Sequence, residues 1–416
     1  MMKKIIFTLL LGFTFIGFSQ NTAIPDANFE QALIDLGIDT DATINGQVLT
    51  ADIEGVTQLG VSSKNITDLT GIEGFTALTE LICDGNQLTS LDVSNNTALT
   101  ILYCDNNQLT SLDVSANTAL TQLYCKDNLL TSLDVTNNTA LTYLNCAKNL
   151  LSSIDVSNNL GLTDLRCFTN QLTSLDVSNN LGLTKLDCGD NLLTSLDVSA
   201  NTALTQLYCR DNQLTSLDVS NNPALTRLRC FNNLLTSLNV FDNANLTQLI
   251  CKNNQLTGSL NLSNNFFLTE LQCQSNKIEK INIRNGNNDN VTNFNASTNP
   301  DLYCIVVDDI DYSTTNWTNR DPASTFVNNE TDCEALSLVD NDFELDVTIY
   351  PNPTDNYLFM EGNVNPISIT IYNLLGAKVI AKSNTDKIDV SELSKGVYII
   401  NISDGVSQTN RKFIKN

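Results

Sequence analysis

A mainly β solenoid with 21-residue coils, an amino-terminal helical cap and a small carboxyl-terminal β-sandwich is the fold class that three observations predict. Cys83, Cys104, Cys125, Cys146, Cys167, Cys188, Cys209, Cys230 and Cys251 fall every 21 residues, and Cys273 follows after 22. The stretch LTELICDGNQLTSLDVSNNTA, clean from Leu78 to Ala98, is restated until about residue 276. A repeat of this length means one supersecondary unit stacked on copies of itself. Within it Leu81 and Cys83 alternate with outward residues, the period of a strand buried on one face, while SNNTA and LTSLDV carry no helical spacing.

In chain order, residues 1–19 (MMKKIIFTLLLGFTFIGFS) combine two lysines, an apolar run, and Gly17 and Ser19 at the spacing of a cleavage site. They predict a secretory signal peptide. No cysteine follows the run, which argues against a lipid anchor. No later stretch reaches the roughly 18 apolar residues that a membrane-spanning helix needs, so no transmembrane span is expected. Residues 20–55 are assigned to the amino-terminal cap. There Ile24 to Gly37 offers Asp26 as helix cap, Phe29, Leu33 and Leu36 at helical spacing, and Gly37 as a stop. A solenoid needs such a lid because its terminal coil otherwise exposes an apolar face.

The solenoid with its carboxyl-terminal cap is expected over residues 56–333. Val56 to Ala77 is a degenerate first repeat with Val61 in the cysteine place. Asn86 and its counterparts to Asn276 form a column where the chain must turn inward; there a side-chain amide hydrogen-bonds backbone groups, and losing one costs about 1–3 kcal/mol. LTSLDVSNN restates the same grammar with a second column from Asn96 to Asn265, so extended segments are expected on both faces of a flattened coil. From Arg284 the sequence reads as a polar insertion, and Asn299 to Asp309 as one last strand. Tyr312, Trp317 and Phe326 then cover the final coil. Residues 334–346 read as a linker. Residues 347–416 break into short β-rich runs separated by turn signals at Pro351 to Asp355, Gly376, Gly396 and Gly405, the pattern of an antiparallel sandwich.

Ten of the twelve cysteines lie one coil apart, on strands ~4.8 Å from their neighbours with side chains pointing the same way. Disulfide geometry demands β-carbons turned toward each other, so these ten are expected as stacked, buried thiols. Cys304 and Cys333 break the period and are the candidates for a disulfide. The charge balance, 22 basic against 46 acidic residues for a net −24, argues against nucleic acid as a partner. Histidine is absent, which removes the commonest general base and metal ligand. No catalytic residue, cofactor or metal site is assigned.

The pattern LxxLxCxxNxL, as in Leu78, Leu81, Cys83, Asn86 and Leu88, resembles the leucine-rich repeat family, and ten units carry it. Cysteine in place of the usual strand leucine is most similar to internalin J, a bacterial surface protein of that family. This implies a curved coil with a parallel sheet on its concave side, used to bind macromolecules and not for catalysis. The segment from 347 resembles the type IX secretion sorting domain of Bacteroidetes. The matching motifs are YPNP at Tyr350 to Pro353, IYNLLGAKV at Ile371 to Val379, LSKGVYIINI at Leu393 to Ile402 and the terminal KFIKN. That resemblance implies the type IX machinery as a partner and a secreted or outer-surface location.

Function is expected where the repeat leaves residues free. The concave-strand positions vary, and Tyr and Arg anchor interfaces. Tyr103, Tyr124, Tyr143, Arg166, Phe168, Asp187, Tyr208, Arg227, Arg229 and Phe231 are therefore the candidate residues for binding a protein or glycan, in adhesion or recognition. The alternative is a structural surface-layer component that assembles through the repetitive convex half. That half carries an aspartate column, Asp92 to Asp218, which like-charge repulsion would bring toward a cation such as calcium; with no known calcium loop in the sequence, it reads as a solvated, screened column.

Overall fold

The computed structural model describes residues 20–337, 347–362, 368–405 and 408–416. The expected signal peptide and most of the expected linker lie outside the described residues. Contacts group the chain into one unit up to Asn328 and a second from Asn329 to Asn416.

The first unit opens with a helix, Ala27–Asp35, capped by Asp26. One Asp26 carboxylate oxygen accepts the N–H groups of Asn28 (2.9 Å) and Phe29 (3.1 Å). The other accepts the N–H and hydroxyl of Thr67, both at 2.7 Å, so the cap also staples the helix to the first coil. Phe29 and Leu33 are buried as the spacing predicts, but Leu36 is 50% exposed: the helix ends at Asp35, and the αR residue after it turns outward.

Twelve parallel strands then form one long sheet, from Gln58–Gly60 to Asn293–Asn295, each three residues long. Register is in step throughout the cysteine repeats, as Glu80, Leu81 and Ile82 oppose Ile101, Leu102 and Tyr103. In the first eleven triplets the central leucine is buried and the two flanking side chains face outward. The cysteine that follows is buried as well.

Asparagine joins coil to coil. Asn128 Nδ2 donates to the carbonyls of Cys104 (3.0 Å) and Cys125 (3.1 Å), while its Oδ1 accepts the N–H of Leu109 (3.0 Å). Two of those three partners belong to the preceding coil. In the second column Asn138 Nδ2 donates to Val114 and Asn117 carbonyls, both at 2.9 Å. Threonine adds a third column that the sequence reading did not identify. Both the N–H (2.8 Å) and the hydroxyl (3.0 Å) of Thr121 reach the Thr100 carbonyl.

The expectation of strands on both faces needs correction. A second parallel sheet exists only at the carboxyl end, over Thr257–Asn261, Lys277–Asn282, Cys304–Val306 and Thr325–Val327. Earlier coils show a single isolated bridge on this side, Asp92 to Asp113. Charge distinguishes the two regions. The turn in which a side chain accepts the N–H two residues on occurs in both, at Asp113 from Ser115 (2.9 Å) and at Asn261 from Ser263 (3.1 Å). In-register aspartates face each other at ~4.8 Å, like charge opposite like charge, and only Asp92 and Asp113 form a bridge. Where the ladder forms, neutral Asn261 opposes neutral Asn282.

The stretch after Arg284, expected as a polar insertion, in fact supplies the twelfth strand of the long sheet, Asn293–Asn295. Phe294 stands in the leucine place, Ala296 in the cysteine place, and Asn299 in the asparagine place. Asn299 Nδ2 bonds the Cys273 carbonyl at 3.2 Å and that of Ala296 at 2.9 Å. The expected last strand, Cys304–Val306, belongs instead to the second sheet. Trp317 is 2% exposed, stacks on Phe294 at 4.3 Å and donates its indole N–H to the Val291 carbonyl, covering this end of the coil.

All ten column cysteines are free and buried. Burial pushes their thiols far up, to about 12 at Cys146, Cys209 and Cys251. Cys304 and Cys333 are each disulfide-bonded.

The second unit has an antiparallel sheet of Val347–Tyr350, Tyr357–Gly362 and Lys387–Asp389, and another of Ser368–Asn373, Lys378–Ser383, Gly396–Ser403 and Gln408–Lys415. Leu358 and Ile388 of one sheet share a core with Ile371, Ile400 and Phe413 of the other, which makes the unit a sandwich.

Two outcomes are expected. Asn128→Ala removes three buried bonds and is expected to lower unfolding free energy in guanidinium titrations by about 2–4 kcal/mol. Alkylation of the native protein at mildly alkaline pH, followed by mass spectrometry, is expected to leave all ten column thiols unlabelled, whereas the same reaction in denaturant labels all ten.

Candidate functional site

Each strand triplet projects its first and third side chains from the sheet, and these columns hold most of the variation among coils. Toward the amino end the outward side chains form a stack. Tyr103 and Tyr124 lie 3.9 Å apart and nearly parallel, Tyr124 and Tyr143 lie 4.4 Å apart, and the Arg166 guanidinium sits 5.2 Å over Tyr143. Arg166 is held in place by Asp164 two residues before it, through bonds of 3.0 and 2.8 Å to the two carboxylate oxygens.

A second cluster follows. Tyr208 receives a cation from each neighbouring coil, Lys185 at 5.7 Å and Arg229 at 5.0 Å. Arg229 Nε also donates to Gln248 Oε1 at 2.7 Å. Tyr208 is only 9% exposed, more buried than an outward strand position implies, because these two side chains cover it. Beyond the cysteines, Arg210 lies 5.8 Å over Phe168, and Lys252 lies 5.4 Å over Phe231. Arg210 reaches Phe168 across the intervening coil, where Gly189 leaves the space: a β-carbon there would lie 2.9 Å from Arg210 Cγ.

The ten residues predicted from sequence all lie on the outward strand positions or one residue past the cysteine. The structure brings Tyr103, Tyr124, Tyr143 and Arg166 together, and Tyr208 with Arg229. Arg227 is exposed and Asp187 partly buried, its carboxyl raised by burial against the opposing pull of Arg210, Lys185 and Arg166. Lys185, Arg210, Lys252, Asp164 and Gly189 belong to the same surface and were missed. Reading the columns for charge as well as for Tyr, Phe and Arg picks out the first four; Gly189 carries no such signal. Nearby, burial raises the Asp105 carboxyl to about 6, although its Oδ1 accepts the Lys126 N–H at 2.5 Å. Among the described residues no group of three or more Cys, Asp or Glu side chains is placed to hold a metal ion.

Comparison with solved structures gives a consistent picture. The chain is similar to the functional domain of InlJ from Listeria monocytogenes, which includes a cysteine ladder. They share 28% identity over 96% of this chain and 99% of that one, with a TM-score of 0.62. The internalin InlF of Listeria monocytogenes strain 4b F2365 matches at 23% identity over 74% and 97% of the two chains, TM-score 0.56. A leucine-rich repeat protein of Leptospira interrogans matches at 20% identity over 69% and 71%, TM-score 0.53. Residues 348–416 match the secretion system C-terminal sorting domain. The chain has the leucine-rich repeat fold and carries a secretion-system sorting domain. No curated protein matches it. The sorting domain marks this leucine-rich repeat protein for export by type IX secretion, to the cell surface or beyond it. Among its described residues no helix is long and apolar enough to cross a membrane.

Asp105 has a pH signature. Its folded pKa of about 6 stands above the ordinary 3.8, so its ionisation disfavours the native state. Stability is therefore expected to be highest with the group protonated and to fall as pH rises from about 4 through about 6, then level off. In guanidinium titrations across that range, Asp105→Asn is expected to lack this fall and to be the more stable protein at about pH 7; parallel profiles would contradict the assignment.

Proposed function

We propose that this exported leucine-rich repeat protein binds a macromolecule, a protein or a glycan, through the outward face of its twelve-stranded sheet, the concave face of such a coil, in adhesion or recognition outside the cell. One observation carries the reading: side chains vary along the sheet face and cluster as tyrosine, phenylalanine and arginine, while the opposite half repeats TSLDVS almost verbatim. Aromatic and arginine side chains supply most of the binding energy in protein interfaces. The secretion machinery is the partner of the carboxyl-terminal unit.

The same reading gives the protein no catalytic role. The ten column cysteines, its strongest intrinsic nucleophiles, are buried with their thiols held protonated. The opposite half has less to offer a ligand, since each aspartate from Asp92 to Asp218 already accepts a backbone N–H two residues on.

The test is a combined protein and glycan array probed with the full chain. Tyr124→Ala and Arg227→Glu are each expected to weaken the strongest signal by at least ~tenfold with an unchanged circular dichroism spectrum. Retained binding alongside altered self-assembly would favour the surface-layer role instead.

A further inference from the structure

Charge is segregated across each coil. Between Leu78 and Asn276 the chain holds eight basic residues, from Lys126 to Lys252, and every one lies on a sheet strand or within two residues after the coil's cysteine. None lies in the half that carries the aspartate column. In a chain of net charge −24, the cations of the repeats are confined to the face with the aromatic clusters.

They are also concentrated along it. The stretch from Asp164 to Lys252 sets six cations against four carboxylates on this flank, Asp164, Asp187, Asp190 and Asp211. Asp164 is committed to Arg166 at 2.8 Å, and Asp211 lies 3.6 Å from Arg210. Among the described residues Lys185, Arg227, Arg229 and Lys252 form no ion pair with a carboxylate. Their neighbours are rings and an amide: Lys185 and Arg229 over Tyr208, Lys252 over Phe231, and Arg229 on Gln248.

The rings decide which class of partner suits these cations. A sugar docks by laying its C–H face flat on an open aromatic face. Here every ring has at least one face in use, and Tyr124, Tyr143 and Tyr208 have a neighbour on each side: the tyrosines stack on one another, Arg166 lies over Tyr143, and cations lie over Tyr208, Phe168 and Phe231. Ring edges, ammonium groups and guanidinium N–H forks remain, and these suit carboxylates, which an arginine fork grips with two parallel bonds.

We propose that the strip from Arg166 to Lys252 docks an acidic polypeptide segment, whose carboxylates take the donors of Lys185, Arg227, Arg229 and Lys252. The proposal rests on the sheet face being the binding surface and adds the chemistry of what it binds. Opposite charge steers the segment to this strip, while the negative remainder of the chain repels it elsewhere.

The experiment uses the full chain with three probes in biolayer interferometry: poly-L-glutamate, the carboxylated polysaccharide hyaluronate, and poly-L-lysine as a control of sign. Poly-L-glutamate is expected to bind with an affinity that falls as salt rises, and to bind at least ~tenfold more tightly than hyaluronate. Arg227→Glu is expected to weaken it by ~tenfold or more, and Lys252→Gln, a milder change that leaves packing intact, by a smaller factor in the same direction. Hyaluronate binding as tightly as poly-L-glutamate overturns the choice of polypeptide and leaves the binding face standing. Poly-L-glutamate binding that neither substitution alters overturns the strip. Failure of poly-L-glutamate to bind overturns the proposal, and an array ligand that Tyr124→Ala still releases shows that the face itself survives. A ligand indifferent to Tyr124→Ala as well as to Arg227→Glu removes both readings.

Discussion

The fold depends on a hydrogen bond that asparagine makes backward, to the coil before its own. A solenoid has no long-range tertiary contacts to hold its register, since each coil touches only its neighbours. Strands of three residues form short ladders, and hydrophobic burial alone tolerates slippage. The Asn128 amide removes that freedom, because its donors and acceptor meet backbone groups of residues 104, 109 and 125 at fixed offsets. A second amide per coil, exemplified by Asn138, fixes the opposite side. With both sides fixed, leucine stacks on leucine and cysteine on cysteine, and the outward columns hold constant positions from coil to coil.

Cysteine at the inner position follows from the same packing. A thiol is small and apolar enough to fill the space between tightly closed coils, and at Cys83 and Cys104 its weak S–H donor also meets a carbonyl, that of Tyr103 and of Tyr124, each at 3.3 Å. For an exported protein, free thiols invite oxidation unless the thiolate is suppressed. Burial accomplishes that here, since the attacking species in disulfide exchange is the anion that a desolvated site disfavours. The column is therefore inert through its surroundings, and the parallel direction of the side chains keeps neighbours from pairing.

Features that repeat were legible in the sequence, and features that depend on backbone conformation were not. The period, the asparagine columns, the Asp26 cap and the buried thiols all left a residue type at a fixed spacing. The left-handed position before each column asparagine did not. Asn106, Asp127, Lys148 and Thr169 hold φ of 53°, 59°, 52° and 54°, yet they share no side chain. The turn demands that conformation, and the coil supplies enough bonding to hold even a β-branched residue in it. The twelfth strand was hidden for a related reason, because Phe294, Ala296 and Asn299 keep the roles of leucine, cysteine and asparagine while changing two of the letters. At the candidate site, individual side chains were legible as variation; their company was not. That Arg210 passes over Gly189 to reach Phe168, or that Tyr208 is covered from both sides, depends on rotamers across three coils.

The division of labour around the coil follows from where backbone polarity is satisfied. On the aspartate half, side chains are spent on the chain itself: the Asp113 carboxylate accepts the N–H of Ser115 and closes the turn that follows it. On the sheet half, the ladder and the threonine column satisfy most of the backbone, and outward side chains help only in some coils, as Asp187 does for the Gly189 N–H. Those residues are left free to change identity at little cost to stability, up to the limits that neighbouring side chains set. Charge collects there for the same reason. A lysine or arginine on the sheet face needs only an adjacent ring or amide to lie against, whereas at the aspartate position of the other half it would displace the side-chain oxygen that the turn uses, which Asn239 supplies in a later coil. The face that can vary is thus the face where no single side chain serves the backbone in every coil, and this lets a rigid, repetitive coil carry a specific surface.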